Sequence, residues 1–417
     1  MREVRQSVRI APAASGAEIL PKALPRAWAL AMFAVLLVSY AINAMDRQLF
    51  PLVAPDVRRE YGFSLAESGF LSTVFTLGMA LAGLPTGYLL ARLTRKTTLQ
   101  IGIAIFSAGT ALTAFANGFA DMLFYRTATG IGEAMQLTAL LTIATRYFAG
   151  SRGAAVGSIN FTYGIGAIAG PVTTAMLLNA WKSWRAPMII FGILGFGALA
   201  AVALMVRPWL TELAGHGESR ATGAGAPTLL NRNSLILTVM SLIGGMIIYG
   251  YLGMYPTYLR EHLAYSPRVA GAVMSTYGIG ALTSLGGGWL GDRFSPRLVM
   301  SGTFLTAGVL GWFLFSEFPG VAAQATLSLA WGIVASGILY VNLAGYHVKA
   351  VSQNLAGAAS GVFVTSLYAA AAVSGSSIGW LADQADWGQA GLIQITLLSA
   401  LGAVLAAFLK THATTTS

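Results

Sequence analysis

Long apolar stretches follow one another along the whole chain, and short polar segments separate them. A helix that crosses a lipid bilayer needs about 20 largely apolar residues. Twelve stretches meet that requirement, at 27–54, 65–91, 97–117, 120–145, 153–179, 186–206, 234–258, 268–291, 298–316, 321–346, 357–381 and 389–409. The pattern predicts an all-α membrane protein with twelve transmembrane helices.

The one long polar stretch, residues 207–233, lies between the sixth and seventh apolar stretches and is rich in Gly and Ala. That composition is typical of a linker. It predicts a six-helix bundle over 27–206 and a second over 234–409, joined by a cytoplasmic linker. Residues 1–26 are basic and contain no continuous apolar run, so we expect a cytoplasmic tail rather than a cleaved signal peptide. Residues 410–417 form a short C-terminal tail on the same side.

Composition excludes most other classes of protein. Apolar residues make up 56% of the chain and charged residues 10%, whereas about a quarter of the residues in soluble domains are charged. So few charges cannot cover a soluble surface, and the same numbers exclude a disordered chain. Because the chain contains no cysteine, disulfides, thiolate metal sites and cysteine nucleophiles are excluded as well.

The basic residues concentrate on one side of the predicted helices. A net charge of +10 would suggest a nucleic-acid partner for a soluble domain. With the N-terminus placed inside, 17 of the 25 basic residues fall on the cytoplasmic side, six on the opposite side and two within spans. Short cytoplasmic loops are typically enriched in Lys and Arg, so both termini are predicted to lie inside. The partner of this charge is therefore the lipid bilayer and not nucleic acid.

An internal repeat appears when the chain is compared with itself at an offset of 201 residues. Pro55 then aligns with Pro256, residues 59–60 with 260–261, and Arg92 with Arg293. Because both halves begin inside, this is a parallel repeat about an axis along the membrane normal. Such symmetry is typical of transporters whose site lies between the halves, although a symmetric scaffold without transport is the alternative.

These features, together with two loop motifs, resemble the major facilitator superfamily of secondary transporters. The family motif G-x-x-x-D-R/K-x-G-R/K-R/K is similar to GWLGDRFSPR at 288–297 and, less completely, to GYLLARLTRK at 87–96, where Ala91 replaces the aspartate. The segment RTATGIG at 126–132 is similar to the family's fourth span, and Gly170-Pro171 to its fifth. The resemblance covers essentially all of residues 27–409.

The resemblance implies a cytoplasmic gate. In the family, the motif's carboxylate contacts the positive N-terminus of another helix when the cavity faces outward, a contact that stabilises by about 0.3–1 kcal/mol. Asp292 would take that role near the start of the fifth span, and the gating residues are predicted to be Asp292, Arg293, Arg297, Arg92 and Arg152. The alternative is that the loop arginines only anchor the topology.

Four ionisable residues fall within predicted spans: Asp46 and Arg47 in the first, Arg126 and Glu133 in the fourth. Ionisable side chains are costly in a bilayer and indicate a functional site by default. Seven residues make nearly two helical turns, so Arg126 and Glu133 share a face about 10 Å apart. We expect these faces to line a wet cavity between the halves.

The string NAMDR at 43–47 is similar to the anion:cation symporter branch, which includes sialin-type and sugar-acid transporters, and to the spinster-like lipid transporters. The resemblance implies that Asp46 and Glu133 couple transport to protons. It also implies that Arg47 and Arg126 bind or balance an anion, with Asn43 and Gln136 extending the polar face. Burial favours a neutral carboxyl and a nearby arginine favours an ionised one, so such groups can change protonation. A buried ion-pair network that only fixes helix packing is the alternative.

The C-terminal half offers aromatic and hydroxyl side chains instead of charges in its seventh, tenth and eleventh spans. They are Tyr249, Tyr251, Tyr255, Tyr340, Asn342, Tyr346, Thr365, Ser366 and Tyr368. Of these, Tyr251, Tyr255, Asn342 and Ser366 are predicted to bind substrate, although such residues more often serve helix packing.

The sequence contains no Gly-Lys dipeptide, so it has no P-loop for ATP, and four scattered histidines predict no metal site. We expect no cofactor and no enzymatic activity. The predicted function is uptake of a small organic anion with protons by alternating access, in a monomer in a bacterial-type plasma membrane. Proton-driven export of an amphipathic compound, drug or lysolipid is the alternative, and a transporter fold used as a sensor or scaffold is a third.

Overall fold

The computed structural model of the chain describes residues 26–148, 151–212, 226–316, 320–352 and 355–410. Apart from one isolated bridge between Ala226 and Val351, these residues form helices and the turns that join them. The prediction of an all-α chain is confirmed over this part of the sequence. The predicted tails at 1–25 and 411–417 and the middle of the linker, 213–225, lie outside the described residues.

We call residues 26–212 the N-terminal half. Its helices are α1 (Arg26–Tyr61), α2 (Leu65–Thr73), α3 (Phe75–Arg92), α4 (Arg95–Thr113), α5 (Phe119–Tyr147), α6 (Arg152–Trp181), α7 (Arg185–Met205) and the short α8 (Pro208–Thr211). Their starts follow capping rules. Ser64 accepts a hydrogen bond from the Glu67 amide and forms a full capping box, while Thr94 caps α4 through the Thr97 amide.

We call residues 226–410 the C-terminal half. Its helices are α9 (Arg232–Thr257), α10 (Pro267–Ala281), α11 (Ser284–Arg293), α12 (Pro296–Leu314), α13 (Val321–Trp331), α14 (Val341–Lys349), α15 (Ala356–Gln384), α16 (Trp387–Gly391) and α17 (Leu398–Ala407). Wider π-helical turns continue three of these helices, at Tyr258–His262, Gly332–Tyr340 and Leu392–Leu397. Such turns often occur at functional sites.

Ten helical segments among the described residues are long and apolar enough to cross a membrane. Helices α4 and α5 fall outside that set. In α5 the polar residues, Arg126 and Glu133 among them, lower the mean hydropathy. The described helices cover all twelve predicted stretches, but the count of twelve spans remains a prediction.

Three apolar clusters form the core. Two of them lie entirely within the N-terminal half. The third fills the C-terminal half and includes Leu52, Phe75 and Met79 from the other half, so the halves share packed apolar surface. The closest approach between them is at Gly69 of α2 and Gly375 of α15, where a Cβ atom on either residue would overlap the backbone of the other. Only glycine lets these helices pack so closely.

Candidate functional site

The two predicted charge pairs of α1 and α5 meet in the interior of the N-terminal half. Arg47 Nε lies 3.1 Å from Glu133 Oε2. The same Nε–H donates a hydrogen bond to Asn43 Oδ1 at 3.1 Å, so the contact with Glu133 is an ion pair rather than an aligned hydrogen bond. Both side chains of this pair are at most 5% exposed.

An amide network holds this ion pair in place. The Asn43 side-chain amide donates to Gln136 Oε1 at 2.8 Å, and the Gln136 amide donates to Ser39 Oγ at 3.1 Å. Ser39, Asn43 and Gln136 are all buried. Because each amide is oriented by its neighbour, the network fixes the position of Asn43 and through it the guanidinium of Arg47.

Asp46 lies on the other side of the same cluster. Its two carboxyl oxygens accept the Thr110 hydroxyl, each at 2.9 Å. The Asp46 and Glu133 carboxyl groups belong to the same buried cluster. Neither carboxyl oxygen of Glu133 has a hydrogen-bond partner in the structure.

The fourth charged residue, Arg126, lies between two aromatic rings. Its guanidinium carbon lies 4.8 Å from the ring centroid of Phe50 and 5.4 Å from that of Phe75, and its Nε–H contacts the Leu71 carbonyl at 3.5 Å. Both terminal nitrogens are buried and have no hydrogen-bond partner in the structure. Phe75 packs against Tyr249, so this arginine lies behind the wall of the cavity described next.

A cavity of about 270 Å³ lies between the two halves, beside this cluster. Its lining is mostly apolar, and Arg47 is the charged residue among the side chains that line it. The terminal Nη2 of Arg47 is buried and has no hydrogen-bond partner in the structure. The other polar lining residues are Tyr40, Asn160, Tyr163, Tyr249, Tyr277, Ser284, Ser336, Tyr340 and Tyr368.

The four substrate residues predicted in the C-terminal half pack against protein and lie outside this lining. Tyr251 and Tyr255 stack on each other with ring centroids 4.6 Å apart, and their hydroxyls bond Ser328 and Gln324. Asn342 donates to the carbonyls of its neighbours in the helical packing, and Ser366 donates to its own helix.

The tyrosines that do face the cavity include three the prediction did not single out: Tyr40, Tyr163 and Tyr277. A signal existed for Tyr40, because it precedes Arg47 by seven residues and therefore lies on the same face of α1. The remaining three, Tyr249, Tyr340 and Tyr368, were recognised only as part of a larger aromatic group.

At one end of the molecule, the predicted gating residues make contacts within their own half. We call it the open end, because the ion pairs there among the described residues, Arg95–Glu212 and Asp292–Lys349, do not join the halves. Asp292 pairs with Lys349 at 2.6 Å, Arg293 lies over Trp289 and Arg92 over Tyr88. Arg297 bonds the Leu409 carbonyl. The side chain of Arg152 lies outside the described residues.

At the other end, the closed end, ion pairs join the two halves. Arg260 pairs with Asp56 at 2.6 Å and Arg58 with Glu261 at 2.8 Å. The Leu65 amide donates to Asp383 at 3.2 Å. Sequence reasoning used both arginines as topology signals and Arg260 also in the internal repeat, but assigned neither to a gate. The cavity is therefore shut toward this end in the structure.

Comparisons with known proteins give one family. Residues 36–376 match the Major Facilitator Superfamily. The chain is 23% identical over 350 residues to the 4-hydroxybenzoate transporter PcaK of Pseudomonas putida, covering 74% of this chain and 76% of that protein. It is 24% identical over 336 residues to the hexuronate transporter of Bacillus subtilis, covering 77% and 79%.

The fold is also similar to a crystal structure of a bacterial homolog of the human lysosomal transporter spinster, in an inward-facing, unoccupied conformation. The TM-score is 0.70 at 17% sequence identity, over 91% of this chain and 95% of that one. At this identity the likeness concerns the fold.

Proposed function

Because the chain belongs to the Major Facilitator Superfamily, we propose that this multi-pass membrane protein is a secondary transporter that moves a small organic anion together with protons. The observation that carries the proposal is Arg47, a buried arginine that lines a cavity between the halves and whose Nη2 has no hydrogen-bond partner. A buried donor without a partner costs free energy, and a bound carboxylate would supply the missing acceptor. PcaK and the hexuronate transporter are named for organic acids, which agrees with this choice.

Proton coupling follows from the competition for Arg47. In the anion-free cavity Glu133 neutralises that guanidinium at 3.1 Å. An arriving carboxylate takes over the guanidinium, and Glu133, left buried without its cation, takes up a proton and shares it with Asp46. Arg126 balances the remaining charge of Asp46. One monoanion and one proton then arrive together, because that combination leaves the buried cluster neutral.

The same proposal includes the architecture that alternating access requires. It places twelve spans in two six-helix bundles, 27–206 and 234–409, with the linker 207–233 and both termini inside. The open end then faces the cytoplasm, and Asp292, Arg293, Arg297, Arg92 and Arg152 form the gate that closes it. We propose a monomer in the plasma membrane.

Uptake into proteoliposomes tests the coupling. With an inward proton gradient, the protein is expected to accumulate an organic acid, whereas Asp46→Asn and Glu133→Gln should lose accumulation by at least about tenfold and retain counterflow exchange. Retained counterflow shows that binding and alternation survive. Glu67→Gln, at an exposed helix cap, is the matched control and should behave as the unaltered protein. Full gradient-driven accumulation by both cluster variants would show that these carboxyls do not couple transport to protons.

Proton-driven export of an amphipathic compound is a second candidate, favoured by the largely apolar cavity lining and by the spinster-like first span. The same vesicles decide between the two. Proton-dependent movement of a lysolipid or a cationic dye, without uptake of any acid, would favour export. A sensor or scaffold would bind ligand and show no flux in either assay.

A further inference from the structure

The charge of the cavity lining restricts the substrate to a single negative charge. Arg47 is the only Lys, Arg, Asp or Glu among the described residues that line the cavity. A second carboxylate on the ligand would be desolvated among tyrosines and apolar side chains without a cation to pair with. Recognition of a monoanion is therefore favoured over that of a dianion.

The lining is aromatic to an unusual degree. Six tyrosines reach it from six different helical segments: Tyr40, Tyr163, Tyr249, Tyr277, Tyr340 and Tyr368. Tyr40, Tyr249 and Tyr368 lie near enough to Arg47 to interact electrostatically with its guanidinium. The aromatic surface therefore begins where a bound carboxylate would be held.

Two of these rings form a fixed platform. The Tyr249 and Tyr368 rings lie edge to face with centroids 5.8 Å apart, and the Tyr368 hydroxyl lies 3.3 Å from that of Tyr340. Phe75 also packs against Tyr249, with ring centroids 6.1 Å apart. Rings held in this way keep their orientation, and aromatic rings prefer other aromatic rings as neighbours in edge-to-face or offset arrangements.

The size of the cavity limits the body of the ligand. A volume of about 270 Å³ lies below the roughly 300–1,000 Å³ of sites that hold drug-sized molecules. One ring and its substituents fit this space. Asn160, Ser284 and Ser336 in the lining offer hydrogen bonds to polar ring substituents.

Building on the proposed function, we propose that the substrate is a single-ring aromatic monocarboxylate. Its carboxylate binds Arg47, and its ring packs against Tyr249 and Tyr368. The two tyrosines are thus specificity-determining residues, which select a planar ring over a saturated ring or a sugar of the same charge.

Calorimetric binding to the full-length protein in lipid nanodiscs tests this assignment. The probes are benzoate, cyclohexanecarboxylate, glucuronate and phthalate, which vary ring character and charge separately. Benzoate is expected to bind about tenfold more tightly than cyclohexanecarboxylate, because two aromatic contacts are worth about that factor. Glucuronate and phthalate should bind more weakly than benzoate.

Variants of the platform identify the source of the preference. Tyr249→Leu and Tyr368→Leu should reduce the benzoate preference to about threefold or less, because they weaken benzoate binding more than cyclohexanecarboxylate binding, whereas Tyr249→Phe and Tyr368→Phe should keep the preference. Phe124→Leu, at an exposed aromatic residue, controls for loss of an aromatic ring elsewhere. The phenylalanine variants keep the test valid if a leucine variant fails to fold.

The outcomes separate this inference from the proposed function. Proton-driven uptake of acids with no preference for benzoate, or with glucuronate bound most tightly, would overturn the aromatic assignment alone. A preference for benzoate that persists in both leucine variants would overturn the role of the two tyrosines. Absence of binding and uptake for every acid would overturn the proposed function as well.

Discussion

At the scale of residues, the two buried arginines differ in what surrounds them. Arg47 lines the cavity, and its Nη2 has no hydrogen-bond partner. Arg126 lies behind Phe50 and Phe75, where it faces aromatic rings rather than the cavity. The first is placed to contact an anion directly, and the second to balance buried carboxyl charge from behind.

Substitution of each arginine should therefore have a different effect. Arg47→Ala is expected to weaken acid binding by at least about tenfold, since a charge-assisted bidentate contact is lost. Arg126→Ala should change the dissociation constant by less than about threefold and lower the thermal unfolding temperature, because a buried carboxyl loses its balancing charge. Calorimetry and thermal unfolding measure the two effects. Equal loss of affinity in both variants would place Arg126 in the binding site.

Sequence reasoning predicted the charges of this site better than its aromatic wall. Asp46, Arg47, Arg126 and Glu133 stand out because charge within an apolar span is costly. Tyrosines carry no such cost, and each residue along a helix turns by about 100°. Tyr249 and Tyr251 thus point in nearly opposite directions, and only the packed structure shows which of them faces the cavity.

At the scale of elements, the closed end is held by the end of α1 and by the π-helical turn Tyr258–His262 that continues α9. The pairs Arg260–Asp56 and Arg58–Glu261 join the two halves, whereas the nearby pair of Arg185 and Glu60 lies within one half. Alternating access requires the cross-half pairs to separate each time this end opens. They stabilise the conformation seen here against the opposite one.

Weakening one pair should favour opening at this end. The chain lacks cysteine, so Ser68→Cys introduces a single one at a buried position in α2. The labelling rate of this cysteine measures how readily a reagent reaches it from the closed end. Arg260→Asp is expected to speed its labelling by an impermeant maleimide about fivefold, since partly buried pairs contribute on the order of 1 kcal/mol or more. The double variant Asp56→Arg with Arg260→Asp should restore slow labelling.

The ion pair within one half provides the control for this experiment. Arg185→Gln removes a pair of similar length, 2.6 Å, at the same end and should leave the labelling rate unchanged. Equal acceleration by Arg185→Gln and Arg260→Asp would show that general loosening, and not separation of the halves, exposes the cysteine.

The positions of the helices could be predicted from the length of the apolar stretches. The breaks and π-helical segments within them could not. The stretch predicted at 65–91 contains two helices that meet near Val74, and the tenth stretch contains a π-helical segment at Gly332–Tyr340. A local break or a π-helical segment leaves the pattern of apolar residues along the chain unchanged. Hydropathy therefore cannot predict such a feature.

At the scale of the whole molecule, the repeat predicts two related halves, and the basic loops predict their orientation in the membrane. The sequence does not determine which end of the cavity between the halves is closed. Which end is closed depends on the balance between contacts such as Arg260–Asp56 at one end and the gating contacts at the other. The free-energy difference between the two conformations is a sum of many small contributions of opposite sign.

Membrane sidedness can be tested directly with the same cysteine-free chain. Leu93→Cys, in the loop before α4, should react only from the cytoplasmic side, and Ser183→Cys, in the loop before α7, only from the opposite side. Labelling of intact cells and inverted vesicles with an impermeant maleimide measures this. Labelling of both cysteines from one side would contradict the predicted orientation.

The low hydropathy of α5 has a consequence for how the protein is made. A helix that carries Arg126 and Glu133 is costly to place in the lipid bilayer without partners for these charges. It depends on α1, whose Asn43 and Arg47 contact Gln136 and Glu133. Because α1 precedes α5 in the chain, α1 is synthesised first, and its compensating side chains exist before α5 is inserted. Residues of α1 proposed to bind substrate thus also stabilise the insertion of α5 into the membrane.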